Sequence, residues 1–600
     1  MRRWVCLVTP LITVCCYAQQ RSTPSSVSTT IVVLGSPIPV SQQESARTVV
    51  SHDAQQTPLA LHQLEDYLRT DSSVDIQQRG GGGIMSDISV RGASFEQTLV
   101  LLNGLRYDDA ETAHFNMDLP IPLLTVERLD VLHGEGSTLY GSDAIGGVVD
   151  VRTVTPTETT LRLKTGIGSF GENEQAAIAS IARKTWNDVL AGDREFSTGF
   201  MVDRDYRTEN GSNEFRFQSP LGHSDLLFAG DDRAYGANQF YGPYMSWERT
   251  KGWFAALTQQ INANTQAAIA YRRHSDIYLL ERNEPDGYKN QHIDDSFEGA
   301  IRDQRDLAKN LTLATGVEED TDQIDSTNLG HHGRNRGAGY AALGWLVPTR
   351  GSLSLGTREE VFDGGTAVSS PMLSATRWLS STTTIHASIG HGFRIPSYLD
   401  LYYSDPTTVG NPNLKPESAW NFEGGVNWFP KPQIAATVTA FYSRQHDTID
   451  YTRASEADPW QAANLSGVRF TGIETSLSWE PRPAECLAVS WTLLMGAQNA
   501  LHGLQSEYVF NYPVNNARLT WTQQVSRQIA LNSRLGVVQR FQQSPYAVWD
   551  VSFTRQIGQV RPYLQMTNLT NTGYAEIVDV RMPGRGFVGG VEIVLPTRWK

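Results

Sequence analysis

Six hundred residues exceed the usual length of one soluble domain, so more than one structural unit is expected. The composition is 40% hydrophobic and 19% charged with 51 glycines, 14 tryptophans and 22 tyrosines, which suits many short strands better than long helices. A net charge of −14 argues against a nucleic-acid partner, because neutralising phosphates requires a basic face.

The chain opens on Arg2 and Arg3, an apolar stretch from Trp4 to Cys16 and a small-residue exit at Tyr17-Ala18. This predicts an export signal over residues 1–18, too short to cross a membrane as a helix. Cys6, Cys15 and Cys16 leave with it, so Cys486 stands alone and no intramolecular disulfide is expected. Residues 19–58 read as a flexible leader. Within it Thr29, Thr30, Ile31, Val32 and Val33 form an isolated β-branched run, of the kind that adds itself as a strand to another protein's sheet edge. Downstream no run of 18 or more apolar residues occurs, so no transmembrane helix is expected.

Residues 59–156 read as a compact α/β unit. Leu61, Leu64, Tyr67 and Leu68 recur at helical spacing, and a Gly80-Gly81-Gly82-Gly83 loop follows. Thr98-Leu99-Val100-Leu101-Leu102 is a continuous apolar strand, the mark of burial on both faces.

From residue 157 onward the signal is alternation. In Ile473 to Glu480 one face carries Ile, Thr, Leu and Trp, and the other Glu, Ser, Ser and Glu. Leu161, Leu163 and Ile167 alternate with Arg162, Lys164 and Gly168 in the same way. Trp345, Trp428 and Trp479 each precede a tight Pro-containing turn, and Trp378 precedes Ser380-Ser381; longer polar segments such as 394–417 and 453–464 lie between. Short turns on one side, long loops on the other and a tryptophan girdle match a membrane β-barrel with a wet lumen. At roughly 20 residues per strand and connection, residues 157–600 give about 22 antiparallel strands, a size whose lumen needs a plug.

Specific blocks then carry a family resemblance. Ile88-Ser89-Val90-Arg91-Gly92, Gln97 to Arg106, Val126 to Leu132 and Ser137 to Val151 resemble the plug of TonB-dependent receptors; Gly392 to Ser397, Gly410 to Glu417, Gly472-Ile473-Glu474 and Asn568 to Tyr574 resemble their barrel. The resemblance implies a β-barrel membrane protein of the cell outer membrane with an N-terminal α/β plug in its lumen. It makes the 29–33 run look like the TonB box, the handle for the inner-membrane TonB complex. Outer-membrane lipid and the barrel-assembly machinery are the further partners implied. Two departures stand out. His133-Gly134-Glu135-Gly136 replaces the family's Arg-Gly-Pro-Gly turn, which puts the role of that arginine in locking plug to barrel in doubt. The C-terminus ends Trp599-Lys600, with Pro596 expected to interrupt the final strand.

Two plug loops, 79–86 and 107–116, are expected to face outside. From them and one outer loop, Arg79, Met85, Ser86, Asp109, Glu111, His114, Phe115, Tyr402 and Tyr403 are the candidate substrate contacts. His114 reads more readily as a loop-tying hydrogen-bonder than as a ligand, and Arg91 as a tie between plug strands. The adjacent His331-His332 pair is weak metal evidence without converging ligands. Glu318, Glu319, Asp320, Asp322 and Asp325 offer oxygen ligands to calcium, but without a calcium-loop glycine they read better as a solvated strand end. No other cofactor or metal site is expected, and no catalytic motif appears. The function expected is import of a scarce large solute, a metal chelate or corrinoid. Cobalamin leads because the 140–147 block looks like that of cobalamin receptors, with ferric siderophores as the alternative. A passive porin and a secreted β-rich binding protein or hydrolase are the rivals of other classes.

Overall fold

The computed structural model describes residues 31–596 apart from Val33, Pro39, Gln42, Pro58 and 498–500. The export signal, Thr29, Thr30 and Val33 of the β-branched run, and Trp599-Lys600 lie outside the described residues.

Twenty-two antiparallel strands close into one barrel, from Thr160–Gly168 to Gly586–Pro596. Those first and last strands pair with each other, Thr160 opposite Pro596 and Gly168 opposite Val588. Pro596 therefore keeps its place in the ladder, opposite Thr160, and does not break the last strand within the described residues.

The alternation read from sequence sets which face each side chain meets. Leu163, Ile167, Ile473, Leu477 and Trp479 project outward and are exposed, while Glu474 is buried inside. In the strand Leu311–Ser326 the outward side chains run Leu311, Leu313 and Val317, then Glu319, Gln323 and Asp325. That change marks where the wall leaves the hydrocarbon and continues as a collar above it. Trp345, Trp428 and Trp479 stand exposed on the outer surface beside the short turns, as a girdle requires. Trp378 differs: it shares the inward register of Ser374 and Thr376.

Inside sits the plug. Its main sheet orders Val49–Asp53, Val126–His133, Gly147–Thr153, Thr98–Leu102 and Leu105–Arg106. Thr98–Leu102 runs parallel to Gly147–Thr153, and its five residues are all buried, as a continuous apolar strand demands. The helical spacing resolves as one short helix, Leu64–Leu68. The sheet takes in Val49–Asp53 from the stretch read as leader, because Val49 completes an apolar cluster with Leu99, Leu101 and Leu132. Farther upstream Ile31–Val32 pairs with Val40–Ser41 as a small hairpin. A larger core gathers Leu102, Leu129, Val131 and Val149 of the plug with Leu227, Phe254 and Ala270 of the wall, so plug and barrel share one hydrophobic interior.

Leu129 is fully buried in that core. Leu129→Ala should cost the plug about 2–5 kcal/mol. The check is amide exchange on the detergent-solubilised protein, with faster exchange expected in plug strands and no change in the barrel wall.

Candidate functional site

A buried ionic knot fastens plug to wall. The Arg91-Gly92 turn is left-handed, φ 56° and 78°, and a Cβ on Gly92 would lie 2.4 Å from Leu494 of the wall. This close approach aims Arg91 outward from the plug. Its guanidinium donates from Nε to Glu474 Oε1 at 2.6 Å, from one terminal nitrogen to Glu474 Oε2 at 2.8 Å and from the other to Glu423 Oε2 at 2.6 Å. Arg91 thus ties the plug to the barrel, correcting the expectation that it joins plug strands to one another. His133 shares the same carboxylate: its Nδ1 lies 3.3 Å from Glu474 Oε2 and its Nε2 2.7 Å from Asp71 Oδ2. Burial disfavours its charge, but the Asp71 and Glu474 carboxylates outweigh that and raise its pKa to about 10. The histidine that replaces the family's arginine therefore still supplies a cation to the lock. The next residues add Glu135, 3.7 Å from Arg47.

The two plug loops meet different surroundings. In the first, Gly80, Gly81 and Gly82 line a cavity of about 1240 Å³, part of it open to solvent, between the plug and the wall. Arg69, Arg518, Tyr546 and Tyr574 face it as well, and the buried Nε of Arg518 makes no hydrogen bond. Sequence reading missed these residues, since nothing local distinguishes an inward Arg that binds from one that only pairs. Arg79 itself turns away to Asp87 at 3.0 Å, and Asp87 also holds His114 Nδ1 at 2.7 Å. His114 stacks on Phe95 with centroids 4.3 Å apart. Burial lowers the His114 pKa against the pull of Asp87, so a neutral ring tying the loop fits its surroundings. Ser86 accepts from Gln78 at 3.2 Å, and Met85 sulfur from the Tyr241 hydroxyl at 3.0 Å.

The second loop is covered. The helix Tyr398–Tyr402, from the long outer segment, donates backbone N–H groups to Ala110 O at 2.9 Å (from Tyr398) and Glu111 O at 3.1 Å (from Leu399). Tyr402 stacks on His332 at 3.7 Å, and Tyr403 hydrogen-bonds Asp405 at 3.0 Å. Beneath this lid Asp109, Glu111 and Phe115 are each 3% exposed and face strands Thr265–Leu279 and Lys289–Ala308. Thr408–Val409, Trp460–Leu465, Thr448–Arg453 and Gln505–Ser506 form a separate outer sheet.

Other sequence candidates separate in space. His331 is exposed while His332 turns in, so the adjacent pair does not converge. Of the acidic stretch only Glu319 and Asp325 are solvated. Glu318 pairs with Arg302 at 3.1 Å and Arg358 at 2.7 Å, Asp322 with Arg334 at 2.9 Å, and Asp320 lies 3.5 Å from Arg336. Alternation, which puts every second carboxylate inside, overrides the reading as a solvated strand end.

Two outcomes follow from the knot. Arg91→Ala strands Glu423 and Glu474 without their guanidinium and should weaken plug docking by about 3–5 kcal/mol, read as faster proteolysis of the plug in the intact protein. His133 has a raised pKa, so its stabilisation is complete below pH 6.5 and is lost as pH rises toward 10. The protection of plug amides, taken relative to their base-catalysed intrinsic rate, should fall across that window, and His133→Gln should flatten this dependence.

The comparisons with known proteins fall on the same architecture. Residues 154–572 match the family described as TonB dependent receptor-like, beta-barrel, and residues 39–148 match the TonB-dependent Receptor Plug Domain. Among curated relatives, the vitamin B12 transporter BtuB of Vibrio vulnificus is 23% identical over 459 residues, 69% of this chain and 70% of that protein. The iron-regulated outer membrane virulence protein of Vibrio cholerae is 24% identical over 495 residues, 74% of each. Among solved structures, a point variant of the ferric enterobactin receptor PfeA of Pseudomonas aeruginosa superposes with a TM-score of 0.76 at 15% identity, covering 94% of this chain and all of that one. With a plug matched inside a closed barrel that is matched in turn, the chain belongs to the TonB-dependent receptors of the bacterial outer membrane.

Proposed function

We propose that this receptor imports cobalamin or another corrinoid. The observation that carries the reading is the likeness to vitamin B12 transporters, which spans more than two thirds of both chains. The cavity beside Gly80–Gly82 lies between plug and wall, where an entering solute meets the first plug loop. Solute enters from the outer collar and settles against the first plug loop; the plug then moves, and no bond of the solute is made or broken. Energy reaches the plug through Thr29–Val33, the TonB box of this reading, which pairs by strand addition with TonB.

A ferric siderophore is the second reading. It is favoured by Arg518, whose guanidinium lines the cavity with its Nε unpartnered among the described residues and suits an anionic chelate.

Purified receptor in detergent, titrated with cyanocobalamin and with a panel of ferric siderophores, decides between them. Tight cobalamin binding alone is expected; binding of a siderophore instead overturns the corrinoid reading while leaving the transport class intact. Deleting residues 29–33 should leave solute binding unchanged and abolish energy-dependent uptake in cells. Unimpaired uptake by that deletion would refute the coupling role.

A further inference from the structure

Two consecutive strands of the wall carry the same short pattern, His274-Ser275-Asp276 and His292-Ile293-Asp294. Side chains two apart share a face, so each strand presents its His and its Asp to the lumen together. The register then sets His274 opposite Asp294 and Asp276 opposite His292. Four donors thus form a square on the inner wall, with cross-strand neighbours about 5 Å apart at Cβ.

The plug completes the cluster from the other side. Glu111 Oε1 lies 3.2 Å from His292 Nδ1, and Asp109 Oδ2 lies 3.0 Å from His274 Nδ1. One donor atom from each of Glu111, Asp276 and His292 falls within 4.8 Å of the other two, and the same holds for Asp109, Glu111 and His274. All these residues, with Asp294, are 5% exposed or less.

Charge and hydrogen bonding are not balanced there. Arg272 serves Asp109 at 2.8 Å and lies 3.7 Å from Asp294. Asp294 Oδ2 accepts the Ala110 N–H at 3.2 Å. Among the described residues, Glu111 and Asp276 have no arginine or lysine in ion-pair contact. Glu111 Oε2, Asp276 Oδ1, Asp294 Oδ1 and both ring nitrogens of His274 have no hydrogen-bond partner, the close approach of His274 to Asp109 being misaligned. Five orphaned buried polar atoms on four neighbouring residues are costly, and one bound dication satisfies several of them at once.

We propose that Glu111, Asp276 and His292 hold a divalent transition-metal ion of the zinc class between plug and wall, with Asp109 and His274 as adjoining donors that share Glu111. The donor set selects the metal. Calcium and magnesium take oxygen ligands, whereas imidazole nitrogen with carboxylate suits zinc and its first-row neighbours. Two carboxylates on the ion match its charge. The metal cross-links the 107–116 loop to the barrel, and it fixes the backbone carbonyls on which the lid helix Tyr398–Tyr402 rests. This site is independent of which large solute is carried.

The test uses the full receptor, purified in detergent from zinc-supplemented cells and compared with protein stripped by chelator. Metal content by mass spectrometry and titration with Zn²⁺ alone should show about one tightly held equivalent, unaffected by excess Ca²⁺. Glu111→Gln and His292→Ala should each weaken Zn²⁺ by on the order of 100-fold or more, while His331→Ala, on the exposed outer edge, should leave it unchanged. Heat-modifiable gel mobility reports that each variant barrel is closed. Co²⁺ loaded into the wild type should show visible absorption of a histidine–carboxylate site, a readout that needs no variant. Wild-type protein that binds Zn²⁺ no better than Glu111→Gln, or shows no Co²⁺ bands, overturns the proposal and leaves protons as the charges that balance the cluster. Cobalamin binding is measured in parallel, so loss of the metal site and loss of the corrinoid reading are separate results.

Discussion

A chain that crosses lipid with strands has nowhere to leave an unpaired backbone edge, since hydrocarbon offers no hydrogen-bond partner. Here the pairing of Thr160–Gly168 with Gly586–Pro596 closes that edge, and everything else is arranged within its constraint. Closure brings residues more than 400 positions apart into register, as when Arg162 reaches Glu592 at 2.7 Å. It also fixes the direction of every wall side chain, so apolar residues meet lipid and polar ones are forced into the lumen.

The lumen is consequently a place where charge must be resolved by geometry. Arginines and carboxylates on facing strands and on the plug pair almost throughout: Arg91 with Glu423 and Glu474, Arg540 with Asp75 at 2.6 Å, Arg534 with Asp66 at 2.7 Å. Such pairs do little for net stability compared with apolar packing, because desolvation offsets attraction. They do specify orientation, and each plug–wall pair is a contact that must be broken for the plug to move. The hydrophobic interior shared by plug and wall opposes the same motion without directional preference. A transporter of this build therefore rests in a docked state held by a few directional locks over an apolar seat.

Much of this was legible in the chain. Alternation in segments such as Ile473–Glu480 gave the wall and its facing, chain length gave the strand number, and the continuous run Thr98–Leu102 marked the plug sheet. Three kinds of feature were not legible. Whether an inward polar residue pairs, binds or stays free depends on strand register, which turn lengths set and composition does not: Arg518 and Arg534 look alike in sequence and differ in partner. The lid over Ala110 and Glu111 is made of backbone hydrogen bonds, which leave no trace in side-chain identity. The role of His133 needed its two carboxylates, one of which lies 341 residues away. The paired His-x-Asp patterns at 274–276 and 292–294 were a usable signal that a scan for isolated histidines passes over.

The collar above the lipid has a consequence for recognition. Where strands such as Leu311–Ser326 run on past the hydrocarbon, that part of the receptor's mouth is hydrogen-bonded strand. Ordering a loose loop around a solute subtracts conformational entropy from affinity, roughly 0.5–1.5 kcal/mol for each side chain immobilised. A stretch of rim made of paired strands has already lost that freedom during folding. Its shape acts as a stencil, fixed before the solute arrives, and discrimination at the entrance becomes a matter of fit against a rigid rim.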